Sequence, residues 1–236
     1  MTRIPTFDFA PYRCTGVVYG TLLNDPRSLL ALGNAVQQAP YKSAPEAPVL
    51  YMKPRNTLAI SGSPLSCPAG CAALKIGANL GIVIGRTACR VSPGEALNYI
   101  AGYTIVNDAT LPMESYYRPS IRFIARDGFC PIGPAVVQAS AIADPDALAV
   151  KVSLDGELVQ SSSTSGRQRS VAALLSAVTD FMTLQPGDIL LLGEAADAPL
   201  ARPGQHITIE IEGLGCLESH VVAEQPAEDL AKEPMA

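Results

Sequence analysis

Residues 148 to 160 spell out a β-hairpin. Leu148, Val150, Val152 and Leu154 alternate with Ala149, Lys151 and Ser153, the period of two that sends successive side chains to opposite faces of a sheet. Asp155-Gly156 comes next, a dipeptide suited to a two-residue turn, so Glu157 to Gln160 must pair back antiparallel.

The rest of the chain repeats this logic in short pieces. Leu80-Gly81-Ile82-Val83-Ile84-Gly85 is an apolar, β-branched run bounded by glycine, and Tyr103 to Val106 forms a second strand that ends at Asn107-Asp108. Ile189 to Leu192 and the alternating His206 to Ile211 read as strands, and a last strand runs through Val221-Val222. Pro186-Gly187 and Pro203-Gly204 read as type II turns, with glycine where the backbone needs positive φ. Two or three helices are expected. Asp25-Pro26 caps one over about Pro26 to Gln38, with Leu29, Leu32 and Val36 facing inward. Ser92-Pro93-Gly94-Glu95 has capping-box spacing for a second, ending near Ile100 before Gly102. Val171, Leu174, Leu175, Val178, Phe181 and Met182 share one face of a third, within Arg167 to Thr183, and are expected in the core. Pro40, Pro45 and Pro48 break regular structure between the first helix and a strand at Val49 to Met52, leaving a connector or a mobile cover. The expected class is mainly β with few helices.

At 236 residues and 48% apolar composition the chain can bury one large core. The formal charge of −5 argues against a nucleic-acid or anionic-membrane surface. No run of eighteen apolar residues occurs, and the first twenty residues lack a signal-peptide apolar stretch, so the expected location is the cytoplasm. Cys14, Cys67, Cys71, Cys89, Cys130 and Cys216 are expected as reduced, buried thiols, and Cys67-Pro68-Ala69-Gly70-Cys71 without a second pair is a poor zinc site. His206 and His220 read as solvated strand residues.

Polar residues concentrate after Asn107-Asp108. Glu114, Tyr116, Tyr117, Arg118, Arg122, Arg126 and Asp127 lie within the next twenty residues, and Lys53-Pro54-Arg55 places two further cations after a short strand. Carboxylates here can move protons and the cations can clamp an anionic substrate, or the same residues can cap and fix loops.

Several words of the sequence resemble the fumarylacetoacetate hydrolase superfamily. They are Lys53-Pro54-Arg55-Asn56-Thr57, Ile82-Val83-Ile84-Gly85, Tyr99 to Thr104 with Asn107-Asp108, Arg126-Asp127-Gly128-Phe129 with Pro131-Ile132-Gly133-Pro134, and Leu184 to Asp188. Tyr116-Tyr117-Arg118-Pro119 with Arg126 to Pro131 after it is most similar to the isomerase/decarboxylase branch of 4-hydroxyphenylacetate degradation, in its amino-terminal half. The resemblance implies a mixed β-sandwich roll: residues 1–48 as a helix and proline-rich connector of the same domain, 49–222 as the body, and 223–236 as a flexible tail. It also implies departures. Metal-using members carry Glu-x-Glu before the V-I-G word and a later Asp, but here Gly77 and Asn79 stand at the glutamate positions and only Asp108 remains. The His/Glu pair near the first helix is replaced around Asn24-Asp25, the lysine before the D-G word by Ile124, and the G-T-P word by Gly193-Glu194-Ala195.

The resemblance implies a subunit of an isomerase/decarboxylase acting on 5-carboxymethyl-2-hydroxymuconate or 5-oxopent-3-ene-1,2,5-tricarboxylate type substrates. Asp108 and Glu114 are its expected acid/base candidates, and Lys53, Arg55, Tyr116, Arg118 and Arg126 its expected substrate contacts. No cofactor is expected in this chain; Mg²⁺ or Mn²⁺ is expected only in a metal-bearing partner subunit. The partners implied are a small di- or tricarboxylate and either a homo-oligomer or a hetero-oligomer with that homologue, with no nucleic acid and no membrane. Two alternatives remain: a catalytically silent scaffold half, and an acylpyruvate-type C–C hydrolase.

Overall fold

A computed structural model describes residues 17–113, 115–117 and 120–224 of the chain. Its strands, in order, are β1 (Val18–Leu22), β2 (Val49–Lys53), β3 (Leu58–Ile60), β4 (Pro64–Cys67) and β5 (Leu74–Lys75). They continue with β6 (Ala78–Ile84), β7 (Ile100–Asn107), β8 (Cys130–Gln138), β9 (Ala149–Leu154) and β10 (Glu157–Ser163). The last four are β11 (Ile189–Leu191), β12 (Leu200–Ala201), β13 (His206–Ile211) and β14 (Gly215–Ala223). Three short α-helices interrupt them: α1 (Pro26–Ala31), α2 (Ile121–Ile124) and α3 (Val171–Thr179). The chain is mainly β.

The strands form a seven-stranded sheet in the order β2-β1-β11-β6-β7-β8-β3, a five-stranded sheet in the order β10-β9-β13-β14-β4, and a small β12-β5 pair. Alternation decides which side chains meet. Leu80, Ile82, Ile84 and Ile105 of the large sheet share one core with Val150, Val152, Leu154, Ile207, Ile209 and Leu217 of the other sheet. Leu174, Leu175 and Val178 of α3 belong to the same core. The opposite face of the large sheet buries Val18, Val83, Val106, Ile132, Ile189 and Leu191. β6 and β7 are therefore buried on both faces, which explains why β6 reads as a continuous apolar run. β1 lies inside the large sheet, parallel to β11 and antiparallel to β2, so residues 18–22 are woven into the same layer.

Four local expectations differ from the fold. No capped α-helix spans 92–100; a single 3-10 turn at Ala96–Tyr99 is found, with the Glu95 carboxylate accepting from the Asn98 side chain at 2.8 Å. Ile100 is already paired with Ile84, so strand pairing claims the residues the helix would need, and Gly102 sits in mid-strand against the Val137 carbonyl. Asp25 does cap α1, yet the helix stops at Ala31, continues as a 3-10 turn over Gly33–Gln37, and leaves Leu29, Leu32 and Val36 only half-buried. Ser170 caps α3, which ends at Thr179, leaving Phe181 64% exposed instead of in the core, while Met182 packs against its edge. Of the cysteines, Cys67 and Cys130 are buried and Cys71 intermediate, but Cys89 and Cys216 are exposed; Cys14 lies outside the described residues. None of the described helices is long and apolar enough to cross a membrane.

Candidate active site

Tyr51 and Lys53 are two apart on β2 and so share a face. β2 is an edge strand, and this face looks toward the end of β7, where Asp108 comes after Asn107. Lys53 is 1% exposed. Its Nζ donates to the carbonyls of Ala109, Ile124 and Phe129 at 2.7, 2.9 and 3.1 Å. Three acceptors use all three N–H groups of an ammonium, a set that a neutral amine cannot supply. Asp108 Oδ1 lies 2.8 Å from the same Nζ, an ionic contact with no N–H left to donate, and accordingly that oxygen accepts no hydrogen bond. Its other oxygen accepts from the Tyr51 hydroxyl. Tyr51 is half-buried, and its ring lies over Gly20, where any Cβ would collide with it.

Burial sets the proton affinities. Loss of solvent raises the Asp108 carboxyl well above the usual carboxylate range, and the nearby Glu194 charge pushes the same way. Burial also lowers the Lys53 ammonium to about 8.

A second ion pair lies alongside. Lys75 at the end of β5 reaches the Glu194 carboxylate, which comes from the loop after β11. Glu194 fills space beside Gly77: a Cβ built on that glycine would stand 2.7 Å from Glu194 Oε2 and 2.6 Å from the Asp108 carbonyl. Asn79 holds the loop in place, its Oδ1 accepting from the Gly193 N–H at 2.8 Å. The half-buried ring of Tyr116 lies 6.0 Å from Lys75 Nζ, and its backbone N–H donates to the Tyr41 hydroxyl at 2.8 Å. Lys75 and Glu194 side chains are 17% and 15% exposed, so this pair reaches solvent in part, while the Lys53 and Asp108 side chains are enclosed, at 0% and 3%.

The remaining expected residues go elsewhere. Arg126 donates to both carboxylate oxygens of Glu224, at 2.8 and 3.0 Å, and Asp127 accepts from Asn56 at 2.7 Å, so both act in holding loops. Arg55 is exposed in a 3-10 turn. Glu114 and Arg118 lie outside the described residues. Where the family's His/Glu pair is expected, Asn24 bonds the Arg169 and Leu192 carbonyls, and Asp25 accepts from Arg27, Arg167 and the Ala196 N–H. Burial opposes the Asp25 charge, but these hydrogen bonds and the Arg167 guanidinium outweigh it and hold its carboxyl below the usual range.

Tyr51, Lys75 and Glu194 are site residues that motifs do not reveal. Two of them nevertheless carry a signal in the sequence: Tyr51 precedes Lys53 by two on a strand, and Glu194 sits in a word where the family carries threonine.

A divalent cation does not fit the residues present. Mg²⁺ and Mn²⁺ need several oxygen ligands in near-octahedral array. Among the described residues no group of three His, Cys, Asp or Glu side chains could hold a metal. Asp108 accepts from Tyr51 through one oxygen and lies against the Lys53 ammonium through the other, and the Glu194 carboxylate faces the Lys75 ammonium.

A family model described as "Fumarylacetoacetate (FAA) hydrolase C-terminal" matches residues 17–222. The 4-hydroxyphenylacetate degradation bifunctional isomerase/decarboxylase of Escherichia coli is 40% identical over 210 residues, covering 89% of this chain and 48% of that protein. The chain thus spans about half the length of the curated relatives it matches first. Among solved structures, 5-carboxymethyl-2-hydroxymuconate delta-isomerase from Mycobacterium smegmatis superposes with a TM-score of 0.76 at 28% identity, over 90% of this chain and 81% of that one. Maleylpyruvate hydrolase from Sphingobium sp. SYK-6, in complex with manganese(II) and pyruvate, gives a TM-score of 0.72 at 25% identity, over 89% and 71% of the two chains.

Proposed function

The chain belongs to the fumarylacetoacetate hydrolase family, and from that premise we propose that it serves in an isomerase/decarboxylase of 4-hydroxyphenylacetate catabolism, moving a proton along a small unsaturated di- or tricarboxylate. The observation that carries this reading is the Tyr51–Asp108 hydrogen bond beside the Lys75–Glu194 pair.

A buried carboxylate with raised proton affinity is a better base near neutral pH than an exposed one. Asp108 is 2% exposed and its hydrogen-bond partner Tyr51 is half-buried, so in this reading the Tyr51 hydroxyl is the group that meets substrate. In the proposed step the Tyr51 oxygen takes a proton from a substrate carbon while its own proton passes to Asp108. The transfer runs in reverse onto another carbon of the conjugated system, which moves the double bond. The ammonium of Lys53 steadies Asp108 in its ionised form, and that of Lys75 attracts a substrate carboxylate. Lys53 is enclosed, so its role is to set Asp108 rather than to touch substrate. A homo-oligomer or a pairing with a metal-bearing homologue belongs to the same proposal.

The scaffold reading draws on one fact, the occupation of both Asp108 oxygens by protein groups. The site itself argues against a C–C hydrolase, because Asp25 is spent on two arginines where water would need activating.

The test is turnover of a 5-carboxymethyl-2-hydroxymuconate-type substrate by the purified chain, with Mg²⁺ and after chelation. Activity that survives chelation and falls about a hundredfold in Tyr51→Phe supports the reading. Activity absent from the chain alone and equal in wild-type and Tyr51→Phe complexes with a homologue assigns it the scaffold role.

A further inference from the structure

We infer that the Lys75–Glu194 ion pair has taken the place of the divalent cation in this site, leaving the site charge-balanced without a metal. This holds whichever reaction the site performs, and three observations converge on it.

The first is space. The position at which a first glutamate is expected is Gly77, and the backbone there has closed on Asp108: the Asp108 N–H donates to the Gly77 carbonyl at 2.8 Å. A side chain at 77 would begin 2.6 Å from the Asp108 carbonyl, a distance that forces the backbone to move. The volume such a side chain would enter is held by a carboxylate from another part of the chain, that of Glu194.

The second is how that carboxylate is delivered. The second expected glutamate is Asn79, which is 2% exposed and spends its Oδ1 on the Gly193 N–H. Gly193 adopts φ 108°, open only to glycine, so the loop turns sharply and presents Glu194 beside Gly77. One lost ligand position therefore positions the replacement for the other.

The third is charge. Asp108 and Glu194 face Lys53 and Lys75, two formal negative charges against two positive. A divalent cation added here leaves two uncompensated positive charges beside a fully enclosed ammonium, and more if Asp108 carries a proton. Glu194 Oε2 and Asp108 Oδ1 are both buried without a hydrogen-bond partner, and each belongs to a carboxylate that already faces an ammonium. That makes the inference testable on the protein itself.

Mn²⁺ binding to the full chain, read from loss of the free-ion electron paramagnetic resonance signal, decides it. Wild type should show no saturable site below millimolar Mn²⁺ that Asp108→Asn removes. Lys75→Glu replaces the internal cation by a third carboxylate and should bind one Mn²⁺ at least tenfold more tightly than wild type, an increment lost again on adding Asp108→Asn. A sub-millimolar, Asp108-dependent site in wild type overturns the inference, as does a folded Lys75→Glu that binds no better. If Lys75→Glu does not give a cooperative melt, Lys75→Met is read the same way: a tenfold gain supports the replacement and unchanged binding overturns it.

Discussion

The Glu194 carboxylate lies where a side chain on Gly77 would have to go, 2.7 Å from the Cβ that the glycine lacks. The two positions are far apart in sequence, and β11, the strand beside β6, brings them together. Gly77→Ala should therefore destabilise the chain by about 1–3 kcal/mol in thermal or urea unfolding, since its methyl meets both a carboxylate and a backbone carbonyl. Adding Glu194→Gly should relieve only part of that loss, because the Asp108 carbonyl stays 2.6 Å away. Full recovery in the double variant would show that the backbone has room to spare.

Lys53 is the most completely enclosed charge among the described residues, with three carbonyls and a carboxylate around one nitrogen. Lys53→Met leaves these acceptors without a donor and should cost about 3–5 kcal/mol. The pH dependence has a definite sign. The folded-state pKa of about 8 lies below the ordinary 10.5, so between those values the unfolded chain holds the extra proton and stability rises with pH. Urea unfolding from pH 7 to 10 should show the gap between wild type and Lys53→Met widening across that window; a narrowing gap means that Lys53 is raised instead.

Asp108 works in the opposite sense. Its folded pKa is raised above 3.8, so its contribution is complete below 3.8 and is lost as pH climbs through the folded value. Relative to Asp108→Asn, wild type should lose stability as pH rises above about 4. The reverse slope would mean that contact with Lys53 outweighs burial.

The strands are legible in the sequence because their pattern is local. Asp155-Gly156 turns the β9–β10 hairpin, and the apolar runs at 80–84 and 206–211 form β6 and β13 with little change of bounds. The caps at 92–95 mislead because they are local signals, while the competing Ile84–Ile100 pairing is not. Phe181 keeps the helical period past the point where α3 ends. Within the site, Asp108 and Lys53 stand out because motifs flank them. Lys75 stands out only through its contact with Glu194, 119 residues away, which no window of sequence contains.

That difference between motif and contact also separates two tyrosine and arginine substitutions. Arg126 belongs to a family word, yet its guanidinium is bound to Glu224, with side chains 29% and 44% exposed. Exposed pairs of this kind contribute at most about 1 kcal/mol, so Arg126→Ala should cost no more than that in unfolding experiments. It should also leave turnover within about twofold of wild type, because the residue ties a loop to the end of β14 and not to the Asp108 cluster. Tyr51→Phe removes one hydroxyl, keeps the ring over Gly20, and should cost about a hundredfold in kcat if the proton passes through that oxygen. Steady-state kinetics on the two variants side by side checks both expectations. Loss of activity in Arg126→Ala with none in Tyr51→Phe would move the reacting centre away from Asp108 and toward the loop at residues 125–128.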